Sequence, residues 1–295
     1  MADVAEETNV QAYMEGLSRL DRVVDDSGYA FTALDVVGKE LVSLEPIRNY
    51  LHLQFVNLAQ NQIADVAPLA ELQYLVCANL SENAIAAPFA LPQAYLQAMD
   101  VSQNQIPTLR GFQSASLSSL KINGNLLENL SGLSGLTSLQ ILEASRNSIE
   151  DLSSLSGETS KLEHLELVGI NISRLRLPAI TLGTDTAALL VQQENKLASV
   201  DGIESLATLS SLALQQNNIE SLEALDKLSL LSNLSDLALV GNPVAEVENY
   251  RLLLILQLPG LKKLDGVVIT EDERLAAADL KQQRDEAEAA LEEQS

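Results

Sequence analysis

Two histidines, His52 and His164, one cysteine, Cys77, and a close pair of carboxylates, Glu163 and Glu166, are the side chains whose types invite a search for chemistry. A metal site gathers its ligands at short, regular spacings, and neither histidine stands near Cys77 at such a spacing. Two carboxylates three residues apart could divide general-acid and general-base work, yet both glutamates fall on the strand face of a repeating pattern. The glycines of Gly132–Gly135 lack the Lys-Ser/Thr that completes a phosphate-binding loop. No catalytic, cofactor-binding or metal-ligating residue is therefore assigned, and the sequence reads as that of a non-enzyme with no cofactor.

Composition narrows the partners. The formal charge is −23 and the isoelectric point about 4.3, which argues against nucleic-acid backbones and anionic membranes as direct partners. Hydrophobic residues make up 46% of the chain but aromatic ones only 3%, with no Trp. A core built from aliphatic side chains suits stacked, repeated layers better than one large irregular interior. A lone Cys77 allows no intramolecular disulfide, which fits a reducing compartment. No stretch is long and apolar enough to span a bilayer, and Met1-Ala2-Asp3 opens an acidic segment and not a secretory signal. A soluble, intracellular protein is expected.

Self-similarity organises the chain. The run Leu53-x-x-Val56-x-Leu58-x-x-Asn61-x-Ile63 recurs around Asn83, Asn104, Asn125 and Asn147, at separations of 22, 21, 21 and 22 residues, and again around Asn195, Asn217 and Asn242. The alternation Val56-x-Leu58 predicts a short strand with one apolar face. Each Asn side chain can bond the backbone where the chain leaves the strand, so stacked units would align these amides into a ladder. The second half of each unit repeats at a spacing of three, as in Ile63, Val66, Leu69, Leu72 and in Leu127, Leu130, Leu133, Leu136, which is the 3₁₀ period. The predicted fold is an α/β repeat solenoid, a leucine-rich-repeat horseshoe. A parallel sheet lines its concave face, short 3₁₀ or loop segments its convex face, and helices cap it. Two units depart: Ile170 stands where a ladder Asn belongs, and Gln192 replaces an apolar strand residue. The segment Ser173–Thr186, with Pro178 and Gly183, is expected to be irregular.

The solenoid is placed at 34–245, as about nine to ten units of 21–25 residues. Before it lies an acidic segment, 1–33, whose Val10–Leu20 carries Tyr13, Met14, Leu17 and Leu20 at helical spacing and predicts a capping helix. Residues 246–269 form the other cap, with Tyr250, Leu258, Pro259, Leu264 and Asp265 as its marked positions and Leu252–Leu256 as a helix over the last coil. Thr270 and Glu273 form a capping box that starts an acidic helix through 270–295, expected to project or to lie against a partner. Its apolar residues are too sparse for a coiled-coil seam.

The concave positions run from polar to acidic to apolar: Gln54, Asn57, Asn79, Asp100, Lys121 and Asn123 first, then Glu143, Glu163, His164 and Glu166, then Leu189, Val191, Ala213 and Ala238. Glu143, Glu163, His164, Glu166, Leu189 and Val191 are the predicted protein-binding group. Its like charges on neighbouring strands suit a basic segment of a partner, though a solvated acidic face is the plainer reading of any one glutamate.

The ending from Tyr250-Arg251 to Leu264-Asp265 resembles the cap of the Sds22-like subfamily of 22-residue repeats, which includes a phosphatase regulator and a dynein light chain. The stretch before the repeats is more discriminating. Tyr13-Met-Glu-Gly-Leu-Ser-Arg-Leu20, Gly28-Tyr-Ala-Phe31, Leu34-Asp35 and Ile47-Arg-Asn-Tyr50-Leu-His-Leu53 resemble the leucine-rich-repeat family of ciliary radial spokes. That resemblance covers nearly the whole chain, with acidic flanks that are shorter here. It implies a non-catalytic scaffold in the axoneme of cilia or flagella, with other radial-spoke or axonemal proteins as partners and no small-molecule substrate. The subfamily leaves a phosphatase-binding subunit and a dynein-associated light chain as the other readings.

Overall fold

The computed structural model describes residues 10–23, 28–150, 152, 162–169, 188–191, 194–201, 203 and 209–292. The expected irregular segment Ser173–Thr186, with Ile170 and Gln192, lies outside them. Thirteen strands form one sheet in chain order. They are β1 (Leu17–Arg22), β2 (Tyr29–Asp35), β3 (Phe55–Asn57), β4 (Cys77–Asn79), β5 (Ala98–Asp100), β6 (Ser119–Lys121), β7 (Ile141–Glu143), β8 (His164–Glu166), β9 (Ala188–Val191), β10 (Leu209–Ala213), β11 (Asp236–Ala238), β12 (Lys263–Leu264) and β13 (Val267–Val268). Every pairing from β2 to β12 is parallel. This is the leucine-rich-repeat solenoid, and its nine strands β3 to β11 occupy the region where the register places nine.

The central residue of each repeat strand points into the core, and its two neighbours point out. Val56, Ala78, Met99, Leu120, Leu142, Leu165, Leu212 and Leu237 are buried and stand in line across the sheet. Short 3₁₀ segments, among them Glu45–Asn49, Ala67–Glu71, Leu133–Gly135 and Glu223–Leu230, return the chain to the next strand. The spacing of three places their apolar residues on one side, so Ile47, Leu69, Leu133, Leu225 and Leu228 are buried. One continuous apolar core runs from Tyr13 to Ala277.

Between strand and return, the asparagines do the bonding. The Asn125 side chain accepts from the Ile106 N–H (2.9 Å) and donates to the carbonyls of Val101 (3.0 Å), Ile122 (3.2 Å) and Asn123 (3.4 Å). It thereby ties its own turn to the coil before it. Asn61, Asn83, Asn104, Asn147, Asn217 and Asn242 likewise accept from the preceding coil and donate to carbonyls, and Asn195 donates to the Leu167 carbonyl (2.8 Å). Asn83 keeps these bonds but is half-buried, where the others are buried. The residue before each ladder Asn is left-handed, with φ near +55° to +60° at Gln60, Glu82, Gln103, Arg146, Glu194 and Gln216 and a glycine at Gly124 and Gly241.

The N-terminal end departs from expectation. Only residues 10–16 are helical (α1), and Leu17–Leu20 belongs to β1, not to the helix, pairing antiparallel with β2. Gly16 explains the break: a Cβ there would collide with the Asp35 carbonyl and the Val36 side chain, so the chain can turn onto the sheet only with glycine at this point. Tyr13 of α1 is fully buried over the first coil, and burial pushes its phenol well above the usual tyrosine range. The sheet consequently begins before residue 34, and it also continues past residue 245.

At the other end α2 (Tyr250–Gln257) covers the last coil with Leu254 and Ile255. Asp265 accepts from the Leu239 N–H (2.7 Å), the Val240 N–H (3.2 Å) and the Tyr250 hydroxyl (3.0 Å), finishing what the asparagines do elsewhere. The final helix α3 (Glu271–Glu292) opens on the capping box, with the Thr270 N–H donating to Glu273 (2.9 Å) and the Glu273 N–H to Thr270 Oγ1 (3.3 Å). Instead of projecting from its start, α3 first packs on α2, burying Ala277. Arg251 clamps it, donating to both Glu273 oxygens (2.7 and 3.3 Å) and to the Leu264 carbonyl (3.0 Å), and Arg274 donates to the carbonyls of Pro259 (3.0 Å) and Leu261 (2.6 Å).

Three stability measurements follow from these bonds. Asn125→Ala leaves buried backbone groups without partners and should lower unfolding free energy by about 1–3 kcal/mol; an unchanged melting temperature would count against the ladder. Ending the chain at residue 243 bares the core edge at Leu237 and Leu239, so the product should aggregate or unfold without cooperativity. A soluble, monomeric, cooperatively melting product would show the cap to be dispensable. The Arg251 guanidinium, helped by the Thr270 N–H, holds the Glu273 carboxyl down to about 2 from 4.5. A depressed carboxylate stabilises the fold above its unfolded pKa and loses that contribution as pH falls through the folded one. The melting-temperature gap between the native protein and Glu273→Gln should thus be widest above pH 4.5 and close on approach to pH 2. A gap independent of pH would refute the clamp.

Candidate functional site

The two positions that flank the central residue of each repeat strand fall in register, and so line up in two rows across the concave face. One row reads Ala33, Phe55, Cys77, Ala98, Ser119, Ile141, His164, Leu189; the other reads Asp35, Asn57, Asn79, Asp100, Lys121, Glu143, Glu166, Val191. The predicted residues His164, Leu189, Glu143, Glu166 and Val191 thus stand together on β7, β8 and β9. Glu163 lies one residue before β8, outside both rows, where it accepts from Gln140 Nε2 (3.1 Å).

The glutamates of this group have partners within the chain. Lys121 Nζ lies 2.8 Å from Glu143 Oε1, and Asn123 Nδ2 donates to Glu143 Oε2 (3.2 Å). The hydrogen bond to Glu143 raises the Lys121 ammonium above its usual value, aided by Asp100 and Glu166. Glu166 accepts from Ser145 Oγ (3.3 Å), with His164 Nε2 at 3.8 Å. The middle of the face is therefore an ordered acid–base array and not a bare negative cluster. The rows continue as Leu189 and Val191 on β9, Ser211 and Ala213 on β10, and Asp236 and Ala238 on β11.

Sequence reasoning overlooked a second arrangement. His52, Tyr74 and Tyr95 each precede the first leucine of successive units, and the register stacks them, with centroids 5.6 and 6.5 Å apart. The 22- and 21-residue spacing was the available signal. It also overlooked Leu20, Tyr29 and Phe31, exposed on the hairpin of β1 and β2 beside Phe55, because the first of these was assigned to a helix.

Cys77 sits half-buried in β4, and burial followed by the Asp100 charge pushes its thiol up, away from the reactive thiolate. A cleft of about 550 Å³ lined by Leu91, Gln93, Ser114, Ser116, Ser134 and Thr137 contains no ionisable group, whereas a second of about 550 Å³ is lined by Glu220, Glu223, Glu248 and Arg284. Among the described residues no three of His, Cys, Asp and Glu are grouped to hold a metal ion, and no helix is long and apolar enough to cross a membrane.

The comparisons agree with this architecture. A family model described as a leucine-rich repeat matches residues 177–293. The crystal structure of the leucine-rich repeat domain of APL1B aligns with a TM-score of 0.52 at 22% identity over 72% of this chain and 61% of that one, a likeness of fold. Leucine-rich repeat-containing protein 23 of Xenopus tropicalis is 34% identical over 287 residues, covering 92% of this chain and 77% of that protein. The Homo sapiens protein of the same name is 29% identical, covering 92% and 78%, and that of Bos taurus 27%, covering 91% and 78%. Since a relative of that name is 34% identical over 92% of this chain, the chain belongs to the leucine-rich repeat-containing protein 23 family.

Proposed function

We propose that this protein is a non-catalytic, protein-binding scaffold that serves as a structural subunit of the radial spokes in the axoneme of motile cilia or flagella. The observation that carries the binding part is the open concave sheet, which offers two aligned rows of side chains over many strands. A surface of this kind suits an extended protein contact. The spoke assignment rests on the family and on the resemblance of the Tyr13–Leu53 region to spoke leucine-rich-repeat proteins. The partner is another spoke or axonemal protein. Its contacting segment is basic with apolar residues, to meet Glu143, Glu163, His164 and Glu166 on one side and Leu189 and Val191 on the other. A net charge of −23 disfavours nucleic acid and anionic lipid as alternatives.

Exposed ion pairs are screened over about 8 Å at physiological ionic strength, so the contact should weaken as salt rises. Substituting Glu143, Glu163 and Glu166 together by lysine should release the protein from isolated axonemes while its circular dichroism and melting stay near native. Normal levels of the triple variant in spokes would exclude this groove as the docking site. Absence of the native protein from axonemes would overturn the ciliary assignment itself.

A further inference from the structure

The hairpin end of the concave face is built differently from the middle. Tyr29 is 72% exposed, Leu20 59%, Phe31 41% and Phe55 38%. Leu20 and Phe31 are directly opposed across β1 and β2. Phe31 lies two residues before Ala33 and hence on the same face, and Ala33 is the register partner of Phe55. These side chains form one contiguous apolar patch in a chain with only ten aromatic residues of the Phe and Tyr type. Exposed apolar surface on this scale, concentrated in one place, marks a contact site more often than it marks chance.

We propose that this patch and the polar row beside it form a second docking surface, for an amphipathic basic helix of a partner protein. The dimensions favour a helix. Adjacent strands lie about 4.8 Å apart, close to the roughly 5.4 Å rise of one helical turn. A helix laid across β2 to β5 therefore meets a new strand about once per turn, with its apolar residues on the row Ala33, Phe55, Cys77, Ala98 and on Phe31, which flanks that row two residues before Ala33. An extended segment in the same direction repeats every two residues, about 6.6 Å, and drifts out of step.

Charge selects the partner's other face. Two residues further along each strand runs the row Asp35, Asn57, Asn79, Asp100, acidic at both ends and otherwise carboxamide, with Asn57 Nδ2 donating to Asp35 Oδ1 (3.3 Å). Lysine or arginine on the helix flank meets these groups. A second copy of this chain is a poorer occupant, because it would bring another −23 charge onto an acidic row. The surface is separate from the Glu143–Val191 group, so binding here does not depend on the spoke assignment.

The test uses the whole purified chain and a fluorescein-labelled helical peptide of about fifteen residues, roughly four turns, with leucine on one face and lysine on its flanks. A matched peptide carries glutamate for lysine. Anisotropy should show binding of the lysine peptide and none of the glutamate peptide. The pair Tyr29→Ser with Phe31→Ser, both exposed and so neutral for folding by melting temperature, should weaken binding at least tenfold. Asp35→Asn with Asp100→Asn should flatten the salt dependence, and Glu166→Gln should change nothing. Failure of the lysine peptide to bind, or equal binding by the aromatic pair, overturns the proposal. Concentration-dependent dimerisation that the aromatic pair abolishes assigns the patch to a second copy and overturns it as well.

Discussion

Stacking short strands through long, irregular returns leaves backbone amides buried at each turn, where no sheet partner can reach them. An unpaired buried amide or carbonyl costs about 1–3 kcal/mol, and the fold repeats the situation in every coil. The asparagine side chain resolves it with an acceptor and two donors on one short stem, bonding its own turn and the coil before it at once. Asn147 shows the full set, accepting from Leu127 and donating to the carbonyls of Ile122, Ala144 and Ser145. The rest of the architecture depends on this bond. It holds consecutive coils at one spacing, and the common spacing is what lets the strands share a register.

The bond has a conformational cost that the chain accepts. To present the amide inward, the preceding residue turns left-handed, at about 1–2 kcal/mol for a side chain other than glycine. Only some units use glycine there; Gln60, Gln103 and Gln216 do not. The stack tolerates this because each such turn is held by several hydrogen bonds and by apolar packing on both sides. The two ends, having no next coil, need other devices. Asp265 with Tyr250 supplies the missing acceptor at one end, and the hairpin of β1 and β2 with Gly16 and Tyr13 closes the other.

A surface made this way is well suited to binding and poorly suited to chemistry. Its side chains point outward from a sheet in parallel rows, so neighbours are set by register and separated by about 4.8 Å. Salt links such as Lys121 with Glu143 arrange themselves along a row, and aromatic groups such as Tyr74 and Tyr95 stack along another line. Different lengths of the same face can then carry different chemistry: aromatic near β2 and β3, ionic near β6 to β8, and farther on a polar row of Ser211, Asp236 and Lys263 beside the small Ala213 and Ala238.

The period of the asparagines, the alternation around Val56 and Leu58, the spacing of three in the returns and the Thr270–Glu273 box are all local patterns, and each by itself determined its element. Local pattern misassigned Leu17–Leu20, because leucines three apart suit a helix, while the strand formed there draws its hydrogen bonds from Tyr29–Asp35 and its start from the close approach of Gly16 to Asp35. The candidate site divides the same way. Membership of the concave rows follows from counting residues within a unit, which any one unit reveals. Which side chains touch across units does not, because it depends on the register between segments about twenty residues apart and on the one pair of ends that each polar group finds. The pairing of Glu143 with Lys121, the bond from Gln140 to Glu163, the stacked His52, Tyr74 and Tyr95, and the docking of α3 on α2 through Arg251 were decided only by tertiary structure. The positions that contact neighbours most directly are those the repeat leaves free to vary, so the pattern that specifies the fold carries no information about them.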